Sequence, residues 1–127
     1  AAAACPPFWV QLTGLRMFPN QRRPRVLWAG VTGDLEALQK LQQEVEDRLE
    51  NIGYPREKRP FAPHLTLGRV RDRVSDADRT RIAGAVGSVT LDETEPWLVE
   101  ESHLIRSTLT PQGAVYTSMG SARLAAD

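Results

Sequence analysis

The sequence is short of the residues that build disulfides, metal sites and membrane spans. Its single cysteine, Cys5, excludes an internal disulfide, and one Cys with two distant histidines among 127 residues gives no metal-ligand spacing. No apolar run approaches the roughly 20 residues that cross a bilayer, and no basic, apolar and small-residue leader pattern opens the chain. A cytoplasmic protein without metal or cofactor is the expectation. Net charge of one sign is also missing: sixteen Lys and Arg balance sixteen Asp and Glu, so the field of the whole molecule does not mark a nucleic-acid binder. Aromatic residues make up only 6%, and Trp9, Trp28 and Trp97 each fall in apolar strand patterns, which predicts core packing rather than base stacking. There is no internal repeat, linker or low-complexity tract. With 41% apolar and 25% charged residues, a single globular domain over residues 1–127 is expected.

What is present is a bias in the kind and position of charge. Fourteen of the sixteen basic residues are Arg, and Arg56, Lys58, Arg59, Arg69, Arg71 and Arg73 outnumber Glu57 and Asp72 in their segment. Guanidinium is always charged and forks onto phosphate oxygens, so this segment suits a phosphate ligand; solvated surface charge accounts for it equally well.

Ala1–Ala4 before Pro6–Pro7 reads as the tail of a helix, which predicts a chain that begins inside a fold. Phe8–Leu15 and Arg25–Val31 read as an antiparallel pair of strands around a loop at Phe18–Pro24, where Arg22, Arg23 and Arg25 cluster. Asp34 has the character of an N-cap. Leu35, Leu38, Leu41, Val45, Leu49 and Ile52 then repeat at helical spacing up to Gly53, against a face of Gln, Lys, Glu and Arg. Arg59–Pro63 is extended, and His64–Val70 is a strand. Ser75 caps a shorter helix over Asp76–Val86, which Gly87 ends. Strands are expected at Ser88–Leu91, Trp97–Arg106 and Ala114–Met119, the last two as a hairpin about the Thr110–Gly113 turn. The order β-β-α-β-α-β-β-β implies an α+β protein with antiparallel strands and helices on one face.

The chemistry concentrates at His64-Leu65-Thr66-Leu67. In a strand, residues two apart share a face, so His64 and Thr66 stand together while Leu65 and Leu67 point to the core. Imidazole gives or takes a proton near neutrality, and the hydroxyl can hold a phosphate oxygen. Pro63 suits the start of such a strand, and Arg69 is near enough to add charge. Other constellations fail. Ser102-His103 and Ser107-Thr108 have no glycine-framed nucleophile turn, Glu100 and Glu101 face opposite ways, and Asp92, Glu93 and Glu95 read as a solvated acidic turn.

The passage Arg59-Pro-Phe-Ala-Pro-His-Leu-Thr-Leu-Gly-Arg resembles the second signature of the 2H phosphoesterases, named for two His-x-Thr/Ser-x motifs. Phe8–Val31, the helix after it, and Leu104–Tyr116 look like the bacterial members formerly called 2′-5′ RNA ligases. The resemblance covers essentially the whole chain. It implies two lobes of antiparallel sheet with helices outside, a cleft between them, and hydrolysis of RNA 2′,3′-cyclic phosphate ends to 2′-phosphates without cofactor. It makes His64 the general base and Thr66 the ligand of a non-bridging oxygen; Arg69, on its charge alone, and Phe61, as a residue lining the cleft, are the candidate substrate contacts. The chain departs from the family in having one such motif. His103, in Ser-His-Leu-Ile-Arg, lacks a hydroxyl two residues on and is expected to be packed or on the surface. The first motif, and the acid it carries, is therefore expected on an N-terminal segment ahead of Ala1, which would be this chain's partner within one monomeric fold. Against the enzyme stands a module that binds phosphorylated nucleotide or RNA ends without turnover, since one motif can hold phosphate without completing acid-base chemistry.

Overall fold

A computed structural model describes residues 2–19 and 24–125. After one 3-10 turn at Ala2–Ala4 come strands β1 (Phe8–Phe18) and β2 (Val26–Gly33), helix α1 (Leu35–Asn51), strand β3 (His64–Arg69), helix α2 (Asp76–Gly87), and strands β4 (Trp97–Val99), β5 (Glu101–Thr110) and β6 (Gly113–Arg123). The fold class is α+β with antiparallel pairing, as expected. The Arg22–Arg23 part of the expected arginine loop lies outside the described residues. Ser88–Leu91 is not a strand, because that segment is taken up in closing α2 and meeting β1: Ser88 caps the helix with hydrogen bonds to Gly84 and Ala85, and Leu91 accepts from Gly14 N. The expected strand Trp97–Arg106 is two strands broken at Glu100, whose carbonyl accepts from Leu124 N at 2.7 Å.

The chain divides into two compact units. One comprises Ala1–Trp9, Glu36–Phe61 and Leu98–Asp127 and holds most of α1 and the β5-β6 hairpin. Gly53, at φ +102°, stops α1 in a turn where Tyr54 N returns to Leu49 O; a residue with a Cβ would be strained there. The segment after α1 folds back on it: the Arg56 guanidinium binds Asp47 and, at 2.7 Å, Gln43 Oε1, while Glu57 N donates to Glu46 Oε2 at 2.9 Å. The bond to Asp47 holds Arg56 above its ordinary pKa. No residue of α1 is fully buried, and its apolar stripe is half-covered at best. The β5-β6 hairpin leaves Leu104, Ile105, Leu109, Val115, Tyr116 and Met119 exposed.

The other unit comprises Val10–Leu35 and Ala62–Trp97. The sheet order is β3-β2-β1-β4, so β3 is an outer strand. Residues paired in register point to one side of an antiparallel sheet, and the pairing therefore sorts side chains by face. Val10, Leu12, Leu15 and Met17 of β1 fall with Leu27, Ala29 and Val31 of β2 on an apolar face. Val10, Met17 and Ala29 there are buried. On this side Val74 and, from helix α2, Ile82 wall a shallow pocket with Met17 and Leu27. Ser75 caps the helix, its Oγ accepting from Asp78 N at 3.1 Å.

Three expectations about burial are corrected. Leu65 and Leu67 are 46% and 50% exposed rather than in the core, because β3 is an outer strand with no neighbour on one flank. Trp9 and Trp97 are 52% and 44% exposed, so neither is a core tryptophan. Trp28 is half-buried and lies against His64, on the polar face rather than the apolar one.

Candidate active-site face

The polar face of the sheet is built in rows across β1, β2 and β3. Thr13, Gly30 and His64 are register partners in one row, and Arg16, Trp28 and Thr66 in the next. His64 and Thr66 thus share a face, two residues apart on β3, as the alternation predicts. Beyond them Val26 pairs with Phe18 and Arg69.

Two bulges decide which charges reach this face. In β1 the register skips Gly14, which takes φ +68° and lies between Thr13 opposite Gly30 and Leu15 opposite Ala29. A β-bulge adds one residue to one strand and reverses the facing of the residues beyond it. Without Gly14, Arg16 would point to the apolar side; with it, Arg16 stands beside Trp28. In β3 the register skips Leu67, between Thr66 opposite Trp28 and Gly68 opposite Leu27. That brings Arg69 round to the side of Thr66, three residues away, where strict alternation would put it opposite. Part of Arg69 also walls the pocket on the other face, as a residue at a strand's end can.

His64 is exposed, and its ring is held from two directions. Nδ1 lies 2.7 Å from the carbonyl oxygen of Ala62. A carbonyl only accepts, so Nδ1 carries the hydrogen, and in the neutral ring the Nε2 lone pair is bare. Trp28 meets the imidazole edge-on, centroids 5.7 Å apart at 69°. On Trp28 lies Arg16, its guanidinium carbon 5.6 Å from the ring centroid. The arrangement can hold an anion beside a nitrogen ready to accept a proton.

Among the other residues singled out by the sequence, Phe61 lies in the extended segment before β3, in the unit that holds α1, and is 40% exposed. His103 is on the surface, its Nε2 3.1 Å from Glu101 Oε2, an ordinary solvent-exposed pair. Among the described residues no group of His, Cys, Asp and Glu could hold a metal ion. Arg16, Trp28, Thr13 and Gly30 were not expected on this face. The available signal was Gly14 inside an otherwise regular strand, which marks a bulge.

Comparison with known proteins adds to this geometry. The family model described as the 2′-5′ RNA ligase superfamily matches residues 1–110. An RNA 2′,3′-cyclic phosphodiesterase of Aeropyrum pernix is 35% identical over 112 residues, 88% of this chain and 62% of the relative. A second, from Methanothermobacter thermautotrophicus, is 36% identical over 118 residues, 93% of this chain and 61% of the relative. A crystal structure of a Thermus thermophilus protein superposes with a TM-score of 0.64 at 31% identity, over 97% of this chain and 63% of that one. The chain spans about three-fifths of the length of these relatives.

Proposed function

Because the chain belongs to the 2′-5′ RNA ligase superfamily, we propose that the whole protein hydrolyses RNA 2′,3′-cyclic phosphate ends to 2′-phosphates, with His64 as general base. The observation that carries this reading is the hydrogen bond from His64 Nδ1 to the Ala62 carbonyl, which leaves Nε2 as the proton acceptor on the face that also bears Thr66. Nε2 takes a proton from water as its oxygen attacks phosphorus. The bond from phosphorus to the 3′-oxygen breaks, and that oxygen leaves with a proton from an acid on the other side. The Thr66 hydroxyl donates to a non-bridging oxygen as its charge grows. Arg69, turned to this side by the Leu67 bulge, neutralises the phosphate. The relatives' name, RNA 2′,3′-cyclic phosphodiesterase, supports the substrate class. The acid belongs to the family's first His-x-Thr-x motif, which is not among these 127 residues.

The test is turnover of an RNA oligonucleotide with a 2′,3′-cyclic phosphate end by the full protein and by His64→Ala. General bases contribute about 10²–10⁴-fold, so a loss of that size is expected. Equal rates would sink the assignment. Salt-sensitive binding of such ends by the full protein without turnover would instead make it a binding module.

A further inference from the structure

Arg16 has no counterpart in the roles described so far. It is exposed, and among the described residues no carboxylate pairs with it. A surface arginine with no acidic partner is ordinary; this one is held in place. Its guanidinium lies on the Trp28 ring, and its Nε is 3.7 Å from where a Cβ on Gly30 would stand. Gly30 is the register partner of His64. Arg16 thus lies across Gly30, beside the imidazole's row, at a distance where a Cβ would make ordinary van der Waals contact with it; what requires a glycine there is the Thr13 carbonyl oxygen, which a Cβ would meet at 2.8 Å. The Gly14 bulge and the Trp28 ring together fix one cation on the face of His64 and Thr66.

Arg16 rises from β1, two strands from β3, a backbone separation of about 10 Å across a sheet. Trp28 on β2 contacts both Arg16 and His64. With Thr66 and Arg69 of β3 assigned to the terminal phosphate, Arg16 offers a cation from another strand to a further anion of the same ligand. An RNA end carries a second negative group one nucleotide away, the phosphodiester on the 5′ side of the cyclic phosphate. A cyclic mononucleotide has none.

We propose that Arg16, braced on Trp28 across Gly30, binds the phosphodiester one nucleotide 5′ of the terminal phosphate, so that this face takes an RNA end of at least two nucleotides in preference to a mononucleotide. This rests on the reading that the His64 face receives a phosphate end. The guanidinium fork supplies charge and two parallel donors to that phosphodiester, and the Trp28 ring restricts its motion before the ligand arrives.

The experiment measures binding of two probes by the full protein, a dinucleotide with a 2′-phosphate end and the same dinucleotide with a neutral methylphosphonate linkage, at several salt concentrations. Wild type is expected to bind the charged linkage about tenfold more tightly, and the salt slope to be larger by about 0.7, the value of one phosphate contact on a single strand. Arg16→Gln should remove both differences, and Arg16→Lys, which keeps charge without the fork, should retain part of them. Wild type that does not discriminate between the linkages overturns the proposal, as does Arg16→Gln that discriminates fully. Equal weakening of both probes by Arg16→Gln also overturns it, and makes Arg16 a brace for Trp28. The catalytic reading fails separately, by turnover that survives His64→Ala; a protein that discriminates the linkage without turnover keeps the Arg16 assignment and loses only the hydrolysis.

Discussion

His64 and Thr66 were legible because a period of two requires nothing beyond the strand itself, and β3 delivers it. The residues around them were not legible, since each depends on where a neighbouring strand pairs. Arg16 and Arg69 reach the polar face through bulges at Gly14 and Leu67, and Trp28 touches His64 only because β2 lies between β1 and β3. Thr66→Val keeps the shape and removes the donor. It should lower kcat/KM of the full protein on cyclic-phosphate RNA by about 10²-fold, within the range for a lost donor to a developing charge, while the urea midpoint stays within the small shift of a surface change. A large loss of stability instead would make Thr66 structural. Gly30→Ala brings a Cβ within 2.8 Å of the Thr13 carbonyl oxygen. Urea denaturation should show it less stable by about 1–3 kcal/mol, the usual cost of overpacking; a neutral result would mean that the strands separate easily at that row.

At the scale of elements, local chemistry predicted the helices and the closing β5-β6 hairpin well and the strands just before it poorly. Helix α1 was legible from its apolar repeat and Gly53, and α2 from Ser75, because caps and periodicity act within a few residues. Ser88–Leu91 has strand-like composition, but its groups close α2 and meet Gly14 of β1 rather than pairing along a strand. The break at Glu100 reflects a hydrogen bond to Leu124, far along the chain. Ser75→Ala should destabilise the protein by about 1 kcal/mol, as expected for a lost N-cap, read from a urea melt. Gly53→Ala forces a Cβ onto a φ of +102° and should cost about 1 kcal/mol or more. If Gly53→Ala were stabilising, the turn that ends α1 would have to be drawn differently.

For the molecule as a whole, the sum of charges says nothing of a local face: by register Arg16 and Arg69 fall on the side of His64 and Thr66, in the rows beyond His64, on a chain whose formal charges cancel. The α+β class and the family were legible from element order and from the passage around His64, and the match over residues 1–110 agrees. What composition could not convey is how much apolar surface the described residues leave open. Leu109 is 85% and Tyr116 71% exposed on the β5-β6 hairpin. The 127-residue chain should therefore bind the dye ANS under native conditions, and Leu109→Ser with Tyr116→Ser should reduce the fluorescence; absence of dye binding by the unaltered chain would contradict that exposure. The central claim is that His64 acts as a base toward a cyclic phosphate. Its most direct test is to incubate the full protein, and its His64→Ala variant, with an RNA oligonucleotide ending in a 2′,3′-cyclic phosphate, and to separate 2′-phosphate from 3′-phosphate products. A 2′-phosphate that forms with the unaltered protein and falls at least about 10²-fold with the variant is the predicted result; a 3′-phosphate product, or a 2′-phosphate formed as fast without His64, would contradict it.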